Sequence, residues 1–573
     1  MRLLKRLCFT VLVSGLMAAQ SVTPNGSNTS QVESDVKKLL DAVTAQQKAL
    51  ADQQKQISDQ QQEIERLKQQ LSAQPQAVSA NGTESSPRVV NATLTTPSVT
   101  GANASASDMA ADEPKEGPLS FRIGAAEFTP GGFVDFENIF RSTNTGNAAA
   151  TNFGGIPFSN TVGGHLTEFR STGQYSRFNL KTHAKFGEND VTGYIEMDFN
   201  GNDANNVFVT TNPHTARVRL YWVQVKRGKW EFLGGSSWGL MTPGRNGISP
   251  MPSDLALGLG EDANVHVGVN HTRAGTFRAV FHPNNNFAWA FGIENPQQYA
   301  NGEVVFPTAF NAQVSGLFDV NSAGGGIPGT PNAFPDFNTK LAWDSNPGGR
   351  HFHFELGATT NSVKITVLAP TNTSGAAFTS HTKIGGGLQT AFNLELLKNF
   401  RFVANGLWGN GIGRYLIGLA PQAVIVPVNG SGTTCAIVGT AAVGCDTALS
   451  LVHSGNGTVG FEFQPAPKST FGVYYGGMYA QRNTFSDISS TAVAKPIIGF
   501  GGVGEAGATS QNRAVQEGTI DWQQTFWRNP QYGAVLLITQ ASYLTRAPWF
   551  VAAGAPKNAH LVMGYVSLRY VLP

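Results

Sequence analysis

Arg217 and Arg219 stand two residues apart in the stretch ARVRLYW (216–222). Alternate residues of a strand share a face, so both guanidinium forks would point the same way. Two such forks suit a carboxylate or a phosphate. Charges recur at strand spacing nearby: Arg177, Lys181 and Lys185 on one segment, Glu196 and Asp198 on the next. Recognition of a small anion is the chemistry these residues could do. A plainer reading stands beside it, in which Arg217 and Arg219 pair with Glu196 and Asp198 across strands. Both can hold at once. Arg245 lies in 237–262, a stretch punctuated by Pro243, Pro250 and Pro252. That stretch is a candidate for a loop folded inward to narrow a pore; the alternative is an ordinary surface loop.

Signals for covalent chemistry are poor. Gly235-Ser236-Ser237-Trp238-Gly239 fits G-x-S-x-G, but that motif needs a strand followed by a helix. Here a Gly- and Pro-rich loop follows, so no catalytic residue is assigned and no enzyme is expected. His351 and His353 share a strand face beside Glu355 with no third ligand at hand, so no metal site is expected. No phosphate-cradling or nucleic-acid motif occurs, and neither a cofactor nor a nucleic-acid partner is expected.

The elements that would position these charges are amphipathic strands. Phe178, Leu180, Thr182, Ala184 and Phe186 alternate with Arg177, Asn179, Lys181, His183 and Lys185. After a turn at 187–190, Val191, Gly193, Ile195, Met197 and Phe199 alternate with Thr192, Tyr194, Glu196 and Asp198. Pairing across that turn sets Phe178 opposite Phe199, Leu180 opposite Met197 and Lys181 opposite Glu196. Val218, Leu220 and Trp222 are expected on the face away from Arg217 and Arg219. The closing stretch HLVMGYVSLRYVLP has the same character. Val562, Gly564, Val566, Leu568, Tyr570 and Leu572 fall on one face, and Arg569 on the other as a further inward charge.

Composition agrees. Of 573 residues only 14% are charged, against about 25% in an average soluble domain. Glycine numbers 65, aromatics are 10%, and net charge is +2. No apolar run of about 20 residues appears beyond the N-terminus, which argues against helical spans. Short turns near 187–190, 227–229, 283–286, 345–349, 394–399, 464–468 and 528–532 alternate with long Gly/Asn/Pro-rich stretches. The long stretches lie near 142–174, 201–214, 237–262, 295–335, 358–381, 409–455, 481–512 and 546–557. The alternation predicts an all-β fold, a transmembrane antiparallel barrel of about 16 strands over 119–573.

Residues 1–20 read as a signal peptide, with Arg2, Lys5 and Arg6 before an apolar stretch. Residues 32–73 hold heptads, with Val36, Val43, Leu50, Ile57, Ile64 and Leu71 at a positions, and read as an α-helical coiled coil in the periplasm. Residues 74–118 read as a flexible linker. Cys435 and Cys445 remain in an exported chain and are expected to form a disulfide; two free thiols are the alternative.

The pieces GGFVDFE (131–137), SRFNLK (176–181), YIEMDFNG (194–201), ARVRLYWVQV (216–225), GNGIGRY (409–415), VQEGTIDWQ (515–523) and SLRYVLP (567–573) together resemble the DcaP-like trimeric porins, and more distantly the phosphate-selective porins. The resemblance implies a homotrimer in outer-membrane lipid that takes up small anionic solutes, dicarboxylates among them. It places Arg177, Arg217 and Arg219 on wall positions that help bind anions. The alternative is a structural anchor whose coiled coil engages peptidoglycan. An outer-membrane lipase using Ser237 is a weaker rival.

Overall fold

The structure, a computed structural model, describes residues 119–145, 149–201, 215–251, 265–296, 304–310, 333–368, 378–429, 436–438, 441–443, 445–502 and 511–573. The signal segment, the coiled-coil heptads and the linker expected from the sequence lie outside the described residues.

Sixteen antiparallel staves make one closed sheet. In chain order the first eight are β1 (Ala126–Arg141), β2 (Glu168–Thr172 and Arg177–Phe186), β3 (Asn189–Asp198), β4 (Arg217–Arg227), β5 (Trp230–Trp238), β6 (Arg273–Asn284), β7 (Phe287–Glu294) and β8 (Asp336–Ser345). The rest are β9 (Phe352–Leu368), β10 (Phe378–Leu397), β11 (Phe400–Asn410), β12 (His453–Ala466), β13 (Ser469–Ala480), β14 (Asn512–Asn529), β15 (Gly533–Pro548) and β16 (Ala559–Val571). Each pairs with its sequence neighbour. The last closes on the first, with Val571 opposite Phe133 and Met563 opposite Arg141, so no edge is left bare. Short turns gather at one end and long connections at the other, as the alternation in the sequence predicts.

Two local expectations about strand boundaries are corrected. The turn after β2 is two residues, not four, because Phe186 pairs directly with Asn189. Gly187 takes φ +58° there, a conformation that favours glycine. The register therefore shifts by two. Phe178 faces Met197, Leu180 faces Ile195 and Lys181 faces Tyr194. An even shift keeps every side chain on its expected face. The stretch 358–381, expected as a loop, is mostly strand: β9 runs to Leu368 and β10 begins at Phe378.

The outward face is apolar. Val134, Phe136, Trp289, Phe291, Phe461, Val473, Tyr475, Val566 and Leu568 are all exposed on it. Toward the short-turn end it carries stacked aromatics. Trp230 stacks on Phe232 (5.9 Å), Phe287 on Trp343 (5.8 Å) and Phe400 on Phe461 (5.5 Å). An apolar band bordered by aromatic rings is how a barrel meets a bilayer and its interface.

Candidate functional site in the barrel lumen

The β5–β6 connection folds into the barrel. Gly239–Met241 begins at the long-loop end, where the Leu240 amide donates to Glu294 of β7 (2.6 Å). Below, the Lys340 ammonium of β8 donates to the Thr242 carbonyl (2.7 Å) and the Gly244 amide donates to Glu355 of β9 (3.0 Å). Arg245 crosses to Glu462 of β12 with a two-pronged pair (2.9 and 2.6 Å). The Gly247 amide reaches Asp344 near the short-turn end (2.9 Å). On the returning arm the Val267 amide donates to Glu517 of β14 (3.0 Å). The two arms are tied together, with Gly239 N–H donating to the Thr272 carbonyl (2.8 Å). Five wall carboxylates thus hold this loop, four of them through backbone amides. A backbone N–H taken from water needs such a partner, and a charged acceptor makes the stronger bond.

The anchoring carboxylates are themselves supported. Glu355 also receives Lys340 (2.9 Å) and Gln389 (3.1 Å), and His353 sits between Asp344 (2.7 Å) and Glu355 (3.3 Å). Tyr474 donates to Glu462 (2.9 Å). Arg245, a candidate pore-lining charge by sequence, does lie inside the barrel, but it is buried and neutralised by Glu462.

The staves β1–β4 carry a different arrangement. Arg217 grips Asp198 with two bonds (3.0 and 2.7 Å), and Arg219 bridges Glu196 (2.8 Å) and Asp198 (2.9 Å). Tyr194 donates to Glu196 (2.8 Å). Asp135 of β1 is held by Arg569 of β16. These three carboxylates are therefore each occupied by a cation. Arg177 and Lys181 have no ion-pair or hydrogen-bond partner among the described residues, and both are half-buried on the inner face of β2. Arg177 lies over the Phe133 ring (5.4 Å), with Arg569 on the same ring (4.1 Å). Gly132, at φ +132°, lets the main chains of β1 and β2 come close: a Cβ there would strike the Arg177 carbonyl. Lys185 sits at the short-turn rim and is exposed.

The cross-strand pairing of Arg217 and Arg219 depends on a bulge. Glu196 pairs with Leu220 and Met197 with Val218, so Arg219 is an extra residue in β4. A bulge re-aims the side chains beyond it. Val218, Tyr221 and Val223 face outward, whereas Leu220 and Trp222, expected outside, are buried inside. Trp222 stacks on Tyr194 (5.3 Å), and both pack with Leu220, Leu233, Trp238 and the loop residue Met251.

Other residues singled out by type find simpler places. Ser237 is fully buried on β5, its hydroxyl on the Trp238 carbonyl (3.1 Å). Cys445 is disulfide-bonded, and Cys435 lies outside the described residues. The long-loop end is packed over by connections. Arg414 of the β11–β12 connection is buried against Asp336 (2.8 Å) and Gln422 (2.6 Å), with Tyr415 beside it on Asp336 (3.0 Å). Glu294, Glu355, Glu462 and Glu517 form a set that no sequence pattern marks. Three of them, Glu294, Glu355 and Glu517, accept main-chain amides of the loop, which leave no side-chain signature.

No family model matches this chain, and no curated protein matches it. Among solved structures, the outer-membrane channel DcaP of Acinetobacter baumannii is similar, at 14% identity and a TM-score of 0.51, over 79% of this chain and 100% of that one. An anion-selective porin from Comamonas acidovorans aligns at 10% identity and a TM-score of 0.40, over 78% of this chain and 100% of the other. The likeness to DcaP is one of fold: the chain has the sixteen-strand barrel of outer-membrane porins.

Proposed function

We propose that this chain is an outer-membrane porin through which small anionic solutes, dicarboxylates among them, diffuse passively. One observation carries the reading. On the inner face of β2, Arg177 and Lys181 are half-buried and make no ion pair or hydrogen bond among the described residues; Glu196 and Asp198, near enough to act on Arg177, are already held by Arg217 and Arg219, and Asp135 by Arg569. Cations of this kind in a channel wall raise local anion concentration and offer weak, reversible sites. Arg217, half-exposed and paired with Asp198, shapes the same stretch. The inserted loop narrows what would otherwise be a wide channel. The apolar outward face supports residence in lipid.

The same reading takes the barrel as a homotrimer with residues 32–73 as a periplasmic coiled coil, and Cys435 as the partner of Cys445. The test is planar-bilayer recording of the folded full-length protein. Channels whose current is reduced by succinate are expected; folded protein with no channel activity would overturn the porin reading.

A further inference from the structure

At the long-loop end of β11–β15 the outward face carries a row of aromatic rings. Trp408 of β11, Gly455 of β12 and Tyr479 of β13 stand side by side. Gly455 leaves room for the Trp408 ring to lie across β12, since a Cβ there would strike that ring, and Trp408 stacks on Tyr479 (6.2 Å). Trp549, just beyond β15, meets Tyr479 edge-on (6.1 Å). Its indole N–H donates to the Ala480 carbonyl (2.9 Å), and Gly501 packs so closely on its ring that a Cβ would clash. The Trp549 ring is thereby fixed.

Two arginines lie over this one ring, Arg482 at 5.0 Å and Arg513 at 5.9 Å. Both are exposed, and neither side chain makes an ion pair or a hydrogen bond among the described residues. Arg513 falls where the register of β14 shifts between Asn512 and Ala514, and that irregularity re-aims it.

Their depth in a bilayer follows from the staves. Near the short-turn end of the same wall, Phe471 of β13 stacks on Trp522 of β14 (6.1 Å). From Phe471 to Tyr479 the chain rises about 26 Å, or about 20 Å along the barrel axis at a tilt of about 40°. That approaches the apolar band of about 25 Å that lies between the two aromatic girdles of an outer-membrane barrel. The row of Trp408, Tyr479 and Trp549 is then the girdle on the long-loop side, which faces out of the cell in such barrels. Arg482 and Arg513 stand just above it, at headgroup depth, while Tyr475 and Ile520 are exposed on the apolar face below.

A guanidinium presents a planar fork of N–H donors that fits a phosphate, and one laid on an aromatic ring is already oriented. Two such forks at one ring, directly above an apolar face, match a ligand with phosphate at one end and hydrocarbon at the other. A soluble anion would use the forks and leave the apolar face unused. We propose that this rim binds a phosphorylated lipid of the outer leaflet, with Arg482 and Arg513 on its phosphate and its chains along Tyr475 and Ile520. The inference rests on residence of the barrel in the outer membrane and not on the anion reading of the lumen.

Native mass spectrometry of the full-length protein in detergent, titrated with lipid A, reads the binding, with phosphatidylethanolamine as the zwitterionic comparison. Saturable lipid A adducts are expected, in preference to phosphatidylethanolamine and weakened by salt. Arg482→Gln and Arg513→Gln should each weaken lipid A binding about fivefold, and the double variant more. Heat-modifiable migration checks that these variants fold. Lys468→Gln removes an exposed cation at the opposite end of the same staves and should leave the binding unchanged. No preference for lipid A, or full binding by the folded double variant, would overturn the proposal. So would displacement by inorganic phosphate at matched concentration, which would make the rim a site for soluble anions. Loss of the oligomer in the double variant with lipid A binding intact would overturn it too, by placing a second copy on this face. None of these outcomes touches the ion preference of the channel, so the two readings fail separately.

Discussion

The inner wall of β7–β9 and that of β1–β4 carry similar mixtures of acidic and basic side chains, and use them oppositely. On β7–β9, Glu294, Asp344 and Glu355 accept main-chain amides of an inserted loop, with Lys340 and His353 completing the partners of Glu355 and Asp344. On β1–β4, Asp135, Glu196 and Asp198 pair with arginines and leave Arg177 and Lys181 over. The lesson is that a list of lumen charges does not give selectivity. What matters is which charges remain after the loop and the wall have taken their partners.

The sharpest way to break this contrast is to detach the loop. Glu462→Ala strands Arg245 in a buried setting, and losing one partner of a buried pair costs about 3–5 kcal/mol. We expect a raised single-channel conductance and a lowered thermal stability in that variant. Unchanged conductance would mean that the loop does not narrow the channel.

Acid should loosen the same region. Burial and neighbouring Arg273 push the pKa of His271, on the returning arm, down to about 3. Its unfolded value is about 6.5, so below that pH the unfolded state takes up the proton first. The stability this group contributes is present above pH ~6.5 and falls by up to about 1.4 kcal/mol per unit toward pH ~3. Unfolding followed between pH 8 and pH 5 should show this acid-side loss, and His271→Gln should flatten it.

On β2, Arg177→Gln and Lys181→Gln each remove a cation that makes no ion pair of its own among the described residues. A unit charge at 4 Å in water is worth about 1 kcal/mol, or about fivefold in local anion concentration, and less in high salt. Each substitution should lower the anion-to-cation permeability ratio by up to that factor, and both together by more. The smallest effect belongs to Lys185→Gln at the exposed rim, where no measurable change in the ratio is expected.

Much of the frame was legible in the sequence. The alternation of short and long connections and of apolar residues, as in the last stave, reports the pleat directly. The rest was hidden for identifiable reasons. Asn189 and Asp190 look like turn residues, yet Asn189 already pairs with Phe186. The bulge at Arg219 is a backbone irregularity that leaves Leu220 and Trp222 looking outward in a strict alternation. The pairing of Arg219 with Glu196 could be foreseen as one of two alternatives, because it joins neighbouring staves. The pairing of Arg245 with Glu462 could not, because it joins a loop to a stave on another part of the wall, far away in sequence.

The central claim concerns the charge left over on β2, and the reversal potential of the wild-type channel in a salt gradient tests it most directly. Potassium chloride at two concentrations across the bilayer should give a potential of the sign set by chloride, moving toward zero in the Arg177→Gln/Lys181→Gln double variant. A wild-type potential of the cation sign, or a double variant indistinguishable from wild type, would contradict the account.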